Sequence, residues 1–452
     1  MLPPAEARPE GFAPDPRRCS FVIVPGWKGS SSMRIAEIRV TPIAFRDPPL
    51  LNVSGVHEPW ALRSVIEVEL ADGRVGLGES YGDLETLANL ERVRPGLIGL
   101  SPFDINGLTR VVYAAVGGDP DTGAAFPPKG DKARASALAA FEVAFLDLQG
   151  QAAGLPLHAL LGGAVRPRVP YSAYLFYKFA RHKDDPGYPP DPWGEVLTHD
   201  QMVGEARRMI DLHGFGSIKL KGGVFAPEFE IETLRALRRA FPEAPLRIDP
   251  NGGWSVATTR RIMPLLAEPG LLEYLEDPAG SLEEMGEIAR FAPMPLATNM
   301  VTIAFGHIPR SVELNAVQVI LSDHHYWGGL RATQHLATIG RTFGLGISMH
   351  SNSHLGISLA AMTHVGATIP NLVYASDTHY PWQEDEVIEG GKLPIRAGCV
   401  DLPEGPGLGV RLDRAALARL HRAYLDCGIR VRDDAGEMRK YDPSWNPKRP
   451  RF

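Results

Sequence analysis

The sequence has little cysteine: Cys19, Cys399 and Cys427 are the only three in 452 residues. An odd count without metal-ligand spacing argues against a disulfide-stapled scaffold or a thiolate zinc site and fits a reducing cytoplasm. Long apolar runs are lacking too. No stretch approaches the ~20 residues of a membrane span, so no membrane partner is expected. The longest apolar stretch of the first thirty residues, Phe21 to Pro25, is too short for a signal-peptide core. Positive charge is not in excess either: 47 Lys and Arg stand against 53 Asp and Glu, a net charge of −6. That gives no broad cationic footprint for nucleic acid. The locally basic end, with Lys448, Arg449 and Arg451, reads as a solvated tail or a clamp onto the body.

What the chain does have is bulk and rhythm. At 44% apolar composition it can bury more than one core, so a barrel plus a second domain is expected. Residues 1–32, rich in Pro, Arg and Gly, read as a disordered extension, because regular patterning begins only after Met33. From Ile35 to about Ala71, alternating residues predict antiparallel strands, with Asp72 and Gly73 turning the chain into Val75–Glu79. An Ala-rich helical stretch from Lys132 to Gln149 follows, and residues 33–165 together read as an α+β domain.

After Arg166 the pattern changes to short β-type runs, each followed by a helical pattern, as in Ile231, Leu234, Leu237 and Ala240. The runs are Val169–Phe176, Ser217–Lys221, Leu246–Pro250, Leu272–Pro278, Pro295–Asn299, Ala316–Asp323, Gly346–Ser351 and Asn371–Asp377. They predict eight parallel β/α units, an α/β fold of the TIM (β/α) barrel type over residues 166–400. The Pro-, Gly- and Asp-rich segment Asp184–Trp193 reads as a loop beside the active face.

In such barrels the C-terminal strand ends converge on one mouth. Seven consecutive runs here end in polar residues: Lys219 and Lys221, Asp249 and Asn251, Glu276 and Asp277, Asn299, Asp323, His350, then Asp377 and His379. One such residue is commonly a satisfied cap; seven in succession point to a site. Asp249, Glu276 and Asn299 offer three oxygen ligands from three successive strands, which suits Mg²⁺. Of the neighbours Glu276 and Asp277, strand alternation turns only one inward, and Glu276 is favoured. Lys219 and Lys221 share a face. Nearby positive charge would push Lys221 toward neutrality, as a general base requires; a Schiff-base lysine is the rival use. Asp323 and His350, on adjacent strands, form a candidate acid/base dyad.

Beyond this pattern, the chain resembles the mandelate racemase branch of the enolase superfamily, and within it the glucarate dehydratase family. The resemblance runs from about Met33 to Phe452. It is carried by Asn52–His57, Leu155–Leu157 with Leu161–Gly163, Lys219–Val224, Asp249–Gly252, Glu276–Pro278, Ala297–Met300, Ser348–His354, Asp377–His379 and Arg432–Ala435. It implies a capping domain made by residues 33–165 and completed by residues 401–452. It also implies Mg²⁺-dependent dehydration of a sugar diacid, glucarate to 5-keto-4-deoxyglucarate, by Lys221 and His350. The family's substrate contacts fall on Asn52, His57, Tyr174, Lys219, Asn251, Asn299, Ser351, Asn352, His379 and Arg432. Of these, His57, Lys219 and Arg432 could reach a distal carboxylate. A homo-oligomer is expected.

The chain also departs from the family. Pro127–Gly130 stands where a Thr-containing segment is usual, Leu62 replaces a Thr, and the loop after Gly280 is shorter. If that loop supplies a metal ligand, Glu283 is the substitute for Glu276. Two bases on opposite faces also suit an acid-sugar epimerase, and a diacid-binding protein with little turnover is the non-catalytic alternative.

Overall fold

The computed structural model describes residues 31–117, 129–183 and 189–452. The predicted extension up to residue 30, residues 127 and 128 of the departing segment and residues 184–188 of the predicted loop lie outside the described residues.

The chain opens with a three-stranded antiparallel sheet, β1 (Ile35–Arg46), β2 (Trp60–Leu70) and β3 (Val75–Tyr81). Helices α1 (Leu84–Leu97), α2 (Ile105–Val116) and α3 (Lys129–Ala153) follow. Alternation along β2 explains why both faces of the sheet are covered. Ile66, Val68 and Leu70 pack with Leu90, Leu108 and Phe141 of the three helices, whereas Ala61 and Val65 join the core that continues into the barrel. The glycines of β3 let α3 approach closely: a Cβ on Gly76 or Gly78 would lie 2.2 Å from the carbonyl oxygen of Ala144 or Ala140.

After the short α4 (Leu157–Leu160) the barrel begins. The first predicted run splits in two. Its start, β4 (Arg168–Pro170), pairs antiparallel with a later strand outside the barrel, and only β5 (Ala173–Leu175) enters the parallel sheet. Then come α5 (His199–His213), β6 (Ile218–Lys221), α6 (Pro227–Ala240), β7 (Leu246–Asp249), α7 (Val256–Leu266), β8 (Tyr274–Glu276), α8 (Leu282–Ala289) and β9 (Leu296–Thr298). The series continues through α9 (Ile308–Glu313), β10 (Val319–Ser322), α10 (His324–Trp327), α11 (Leu330–Thr342), β11 (Gly346–Met349) and α12 (Gly356–Thr368). Strands β5 to β11 form a seven-stranded parallel sheet in sequence order.

The eighth predicted strand is not a regular strand. Residues 371–377 close the barrel through isolated parallel bridges, Leu372 to Ile347 on one side and Ser376 to Tyr171 on the other. Between them the Ala375 carbonyl is taken by side chains: Arg247 Nη1 donates at 2.6 Å and Ser348 Oγ at 2.9 Å. A carbonyl satisfied this way is withdrawn from the ladder, so the barrel is a modified one.

The chain ends with the hairpin β12 (Ile395–Arg396) and β13 (Cys399–Asp401), then α13 (Arg414–Cys427), packed on β1, and α14 (Asp434–Arg439). The basic terminus is a clamp. Arg449 Nη2 donates to Ser54 Oγ at 2.6 Å, and the Arg451 and Phe452 backbone bonds to Gly253 and Ser255. Among the described residues no helix is long and apolar enough to cross a membrane.

Candidate active site

At the C-terminal strand ends a cavity of about 390 Å³ opens between the barrel, the Asn52–His57 turn and the C-terminal segment. Its walls include Asn52, His57, Tyr174, Lys221, Asn251, Asn299, His350, Asn352, His379 and Arg432. Lys219, Asp249, Glu276, Asp323 and Ser351 lie buried beside them. Ser351 is held off the cavity wall, its hydroxyl accepting from the His379 backbone at 3.1 Å.

An oxygen-rich cluster forms the floor. Carboxylate oxygens of Asp249, Glu276 and Asp277 lie within 4.8 Å of one another, all fully buried. Both members of the adjacent pair therefore turn inward, against the alternation argument. Asp277 has φ 38°, a left-handed conformation that breaks the strand geometry. Its carboxylate is already engaged, accepting from Thr298 Oγ1 at 2.5 Å and the Asn299 backbone at 2.9 Å. One atom of the Asn299 amide faces Glu276 Oε1 at 3.3 Å and Asp277 Oδ2 at 3.0 Å; the other faces His350 Nε2 at 3.1 Å. Burial and the Asp249 charge push Asp277 up to about 7, and burial holds Glu276 well above the carboxylate range despite Lys219. Asp249 goes the other way: burial raises it, but Lys221 and Lys219 outweigh that and bring it to about 2. So many oxygen acceptors facing one another could hold a hard cation.

Two lysines border the cluster. Lys219 Nζ lies 2.6 Å from both Glu276 Oε2 and Asp377 Oδ2, and 3.7 Å from Asp249 Oδ2. Burial lowers its pKa, but the surrounding carboxylates more than reverse that. Lys221 Nζ donates to Asp249 Oδ2 at 2.5 Å, so it faces a carboxylate as well as the neighbouring cation. Opposite them, His350 Nδ1 bonds Asp323 Oδ2 at 3.0 Å and leaves Nε2 toward Asn299 and the cavity. Burial lowers the His350 pKa, partly offset by Asp323.

The rim residues are bonded among themselves. His57 Nδ1 pairs with Asp47 at 3.0 Å, and Arg432 grips Asp434 with two bonds of 2.6 and 2.8 Å. Asn52 Nδ2 donates to the same Asp434 at 2.8 Å, and Asn352 to the Tyr81 hydroxyl at 3.1 Å. Glu283 is not at the site: it lies on α8, exposed, 3.4 Å from Arg310. The short α8 begins directly after the strand-end loop, which carries that side chain to the outer helix layer.

Sequence reasoning missed several neighbours. Tyr326 bonds His350 Nδ1 at 3.2 Å, and Lys132, from α3, reaches over the Tyr326 ring. Behind Asp323 stands a buried relay. His325 Nδ1 donates to Asp323 Oδ1 at 2.7 Å, Arg63 Nη2 donates to His325 Nε2 at 2.7 Å, and Arg63 Nε pairs with Glu79 at 2.9 Å. Glu79 in turn accepts from the Leu355 and Ser358 backbone N–H groups at the start of α12. The polar alternation of β2 and β3 was the available signal; it reads equally well as a solvent face.

The antiparallel sheet, parallel barrel and strand-end acids define a class: the chain belongs to the mandelate racemase branch of the enolase superfamily. Residues 35–162 match the mandelate racemase / muconate lactonizing enzyme N-terminal domain, and residues 201–416 the enolase C-terminal domain-like family. The chain is 50% identical, over 93% of its own length and 99% of the relative's, to a protein of Streptomyces coelicolor named "Probable glucarate dehydratase". It is thus an enzyme of that superfamily. An enolase from Pseudomonas fluorescens, solved with magnesium, potassium and tartrate, is 56% identical with a TM-score of 0.88, covering 93% of this chain and 100% of that one. An enolase from Thermobispora bispora with magnesium and formate is 52% identical at the same TM-score and coverage.

Proposed function

We propose that this chain is a Mg²⁺-dependent acid-sugar dehydratase, with D-glucarate as the substrate and 5-keto-4-deoxyglucarate as the product. The observation that carries the reading is that Lys221 and His350, two groups able to move protons, both line one cavity above the oxygen cluster. Asp249, Glu276 and Asn299 would hold the Mg²⁺, which when bound stabilises negative charge developing on the substrate carboxylate.

The remaining work falls to the chain's own groups. Lys221 Nζ, in its neutral form, takes the proton from C5; the C5–H electron pair is drawn into the neighbouring carboxylate and then forms the C4–C5 double bond as the C4–O bond breaks. His350 Nε2 supplies a proton to the C4 hydroxyl, which leaves as water. The resulting enol tautomerises to the ketone. Asp323 fixes the His350 ring through Nδ1, and Lys219 supplies positive charge beside Glu276. Asn52, His57, Tyr174, Asn251, Asn352, His379 and Arg432 surround the polyol, with Ser351 orienting His379. Residues 33–165 and 401–452 act as the cap over the 166–400 barrel, a reading supported by Asn52, His57 and Arg432 in the cavity wall.

The test is incubation with Mg²⁺ and D-glucarate, L-idarate or galactarate, following 2-keto product by semicarbazide absorbance with EDTA as control. Metal-dependent product from glucarate supports the reading; no product from any diacid overturns it. The same pair of bases also suits epimerisation, in which mass is conserved and no keto product forms.

A further inference from the structure

A six-carbon diacid brings two carboxylates. In the reading above one of them belongs beside the oxygen cluster, and the other needs a cation of its own. The three side chains that the sequence offers for it are already engaged. Lys219 is enclosed by Glu276 and Asp377, Arg432 is paired with Asp434 through Nε and Nη2, and His57 is bonded to Asp47. Lys221, the other lysine of the strand ends, is paired with Asp249.

Lys132 is different. It comes from α3 rather than from the barrel, and it lines the same cavity. Among the described residues no carboxylate lies within ion-pair distance of it. Its Nζ rests 4.5 Å from the centroid of the Tyr326 ring, and the Asp323 charge acts on it only through space. A cation on an aromatic face gives up only a weak contact when an anion arrives, whereas Arg432 already shares its charge with Asp434 through two charge-assisted hydrogen bonds.

We propose that Lys132 is a specificity-determining residue that pairs with the second carboxylate of the substrate, so that the site selects dicarboxylic over monocarboxylic acid sugars. The proposal rests on the acid-sugar reading of the cavity and goes beyond it by assigning the group that separates the two substrate classes.

The experiment compares D-glucarate with D-gluconate, which differ at one end by a carboxylate against a hydroxymethyl group. Each is titrated calorimetrically into the Mg²⁺-loaded protein in a Lys221→Ala background, which keeps the bound acid from being consumed. Lys132→Met and Lys132→Arg are made in that background. With Lys132 present, glucarate binds at least about tenfold tighter than gluconate. Lys132→Met brings the two within about threefold of each other by weakening glucarate alone, and Lys132→Arg keeps the preference. Equal weakening of both acids, or a preference that survives in Lys132→Met, overturns the proposal, as does the absence of any preference with Lys132 in place. Turnover is measured separately on the wild type. If no acid sugar yields keto product while Lys132→Met still erases the preference, the dehydratase reading fails and the pairing stands.

Discussion

His350 reaches Asp323 through Nδ1 at 3.0 Å, and the other oxygen of that carboxylate is already filled by His325. The carboxylate therefore fixes one tautomer of the ring and directs Nε2 into the cavity. Replacing Asp323 by Asn removes the charge and permits the other tautomer. The expected result is a fall in dehydration of about 10²- to 10⁴-fold. Exchange of the substrate α-proton by Lys221 should survive and be visible by NMR in D₂O. Loss of exchange together with dehydration would show that Asp323 serves the whole site and not His350 in particular.

The relay behind Asp323 joins two parts of the chain. Arg63 and Glu79 come from the antiparallel sheet, His325 and Ser358 from the barrel, and Arg63 fixes the acceptor state of His325 Nε2. Burial raises the Glu79 pKa, but Arg63 and His354 more than reverse it, so the carboxylate is ionised. Arg63→Met would strand that charge in the core, a loss of about 3–5 kcal/mol. The double variant Arg63→Met/Glu79→Gln should recover part of it in a thermal or urea melt. If the double variant is no more stable than the single one, the buried charge is not what Arg63 balances.

The oxygen cluster makes a prediction about metal removal. A cation bound to the folded state alone at 100 times its dissociation constant adds about 2.7 kcal/mol of stability. Mg²⁺ should therefore raise the melting temperature, and EDTA should reverse the rise. Asp249→Asn and Glu276→Gln should lose the Mg²⁺-induced shift, whereas Glu283→Gln should keep it, since Glu283 sits against Arg310 on the outer face. A shift abolished by Glu283→Gln alone would move the metal site away from the cluster.

What could be seen in the sequence follows from how local each feature is. The residues at strand ends, from Lys219 to His379, were legible because a parallel strand repeats every two residues and stops at a polar group. Three features left no mark in the local sequence pattern. The eighth strand loses its ladder to Arg247 and Ser348, and Asp277 turns inward only because its backbone is left-handed. Lys132 belongs to a helix whose periodicity says nothing of the barrel mouth. Arg432 was assigned by resemblance as a substrate contact; its pairing with Asp434, two residues on, is a detail that the resemblance does not reveal.

A last prediction concerns stability and pH, away from the reacting groups. Glu142, on α3, is fully buried and accepts from the Leu330 and Arg331 backbone N–H groups at the start of α11. Burial outweighs those bonds and raises its pKa from 4.5 to about 7. The folded state thus holds a proton that the unfolded chain has already released. Stability from this group is fully present below pH 4.5 and is lost as pH rises through 7. A shift of this size corresponds to a few kcal/mol, at about 1.4 kcal/mol per pH unit. Glu230, raised to about 7 by burial in the same way, adds a contribution of the same sign. The wild type should therefore melt several degrees lower at pH 8 than at pH 5.5, and Glu142→Gln should flatten that slope. An unchanged slope in Glu142→Gln would mean that the two helix N–H groups keep the carboxylate ionised in spite of its burial.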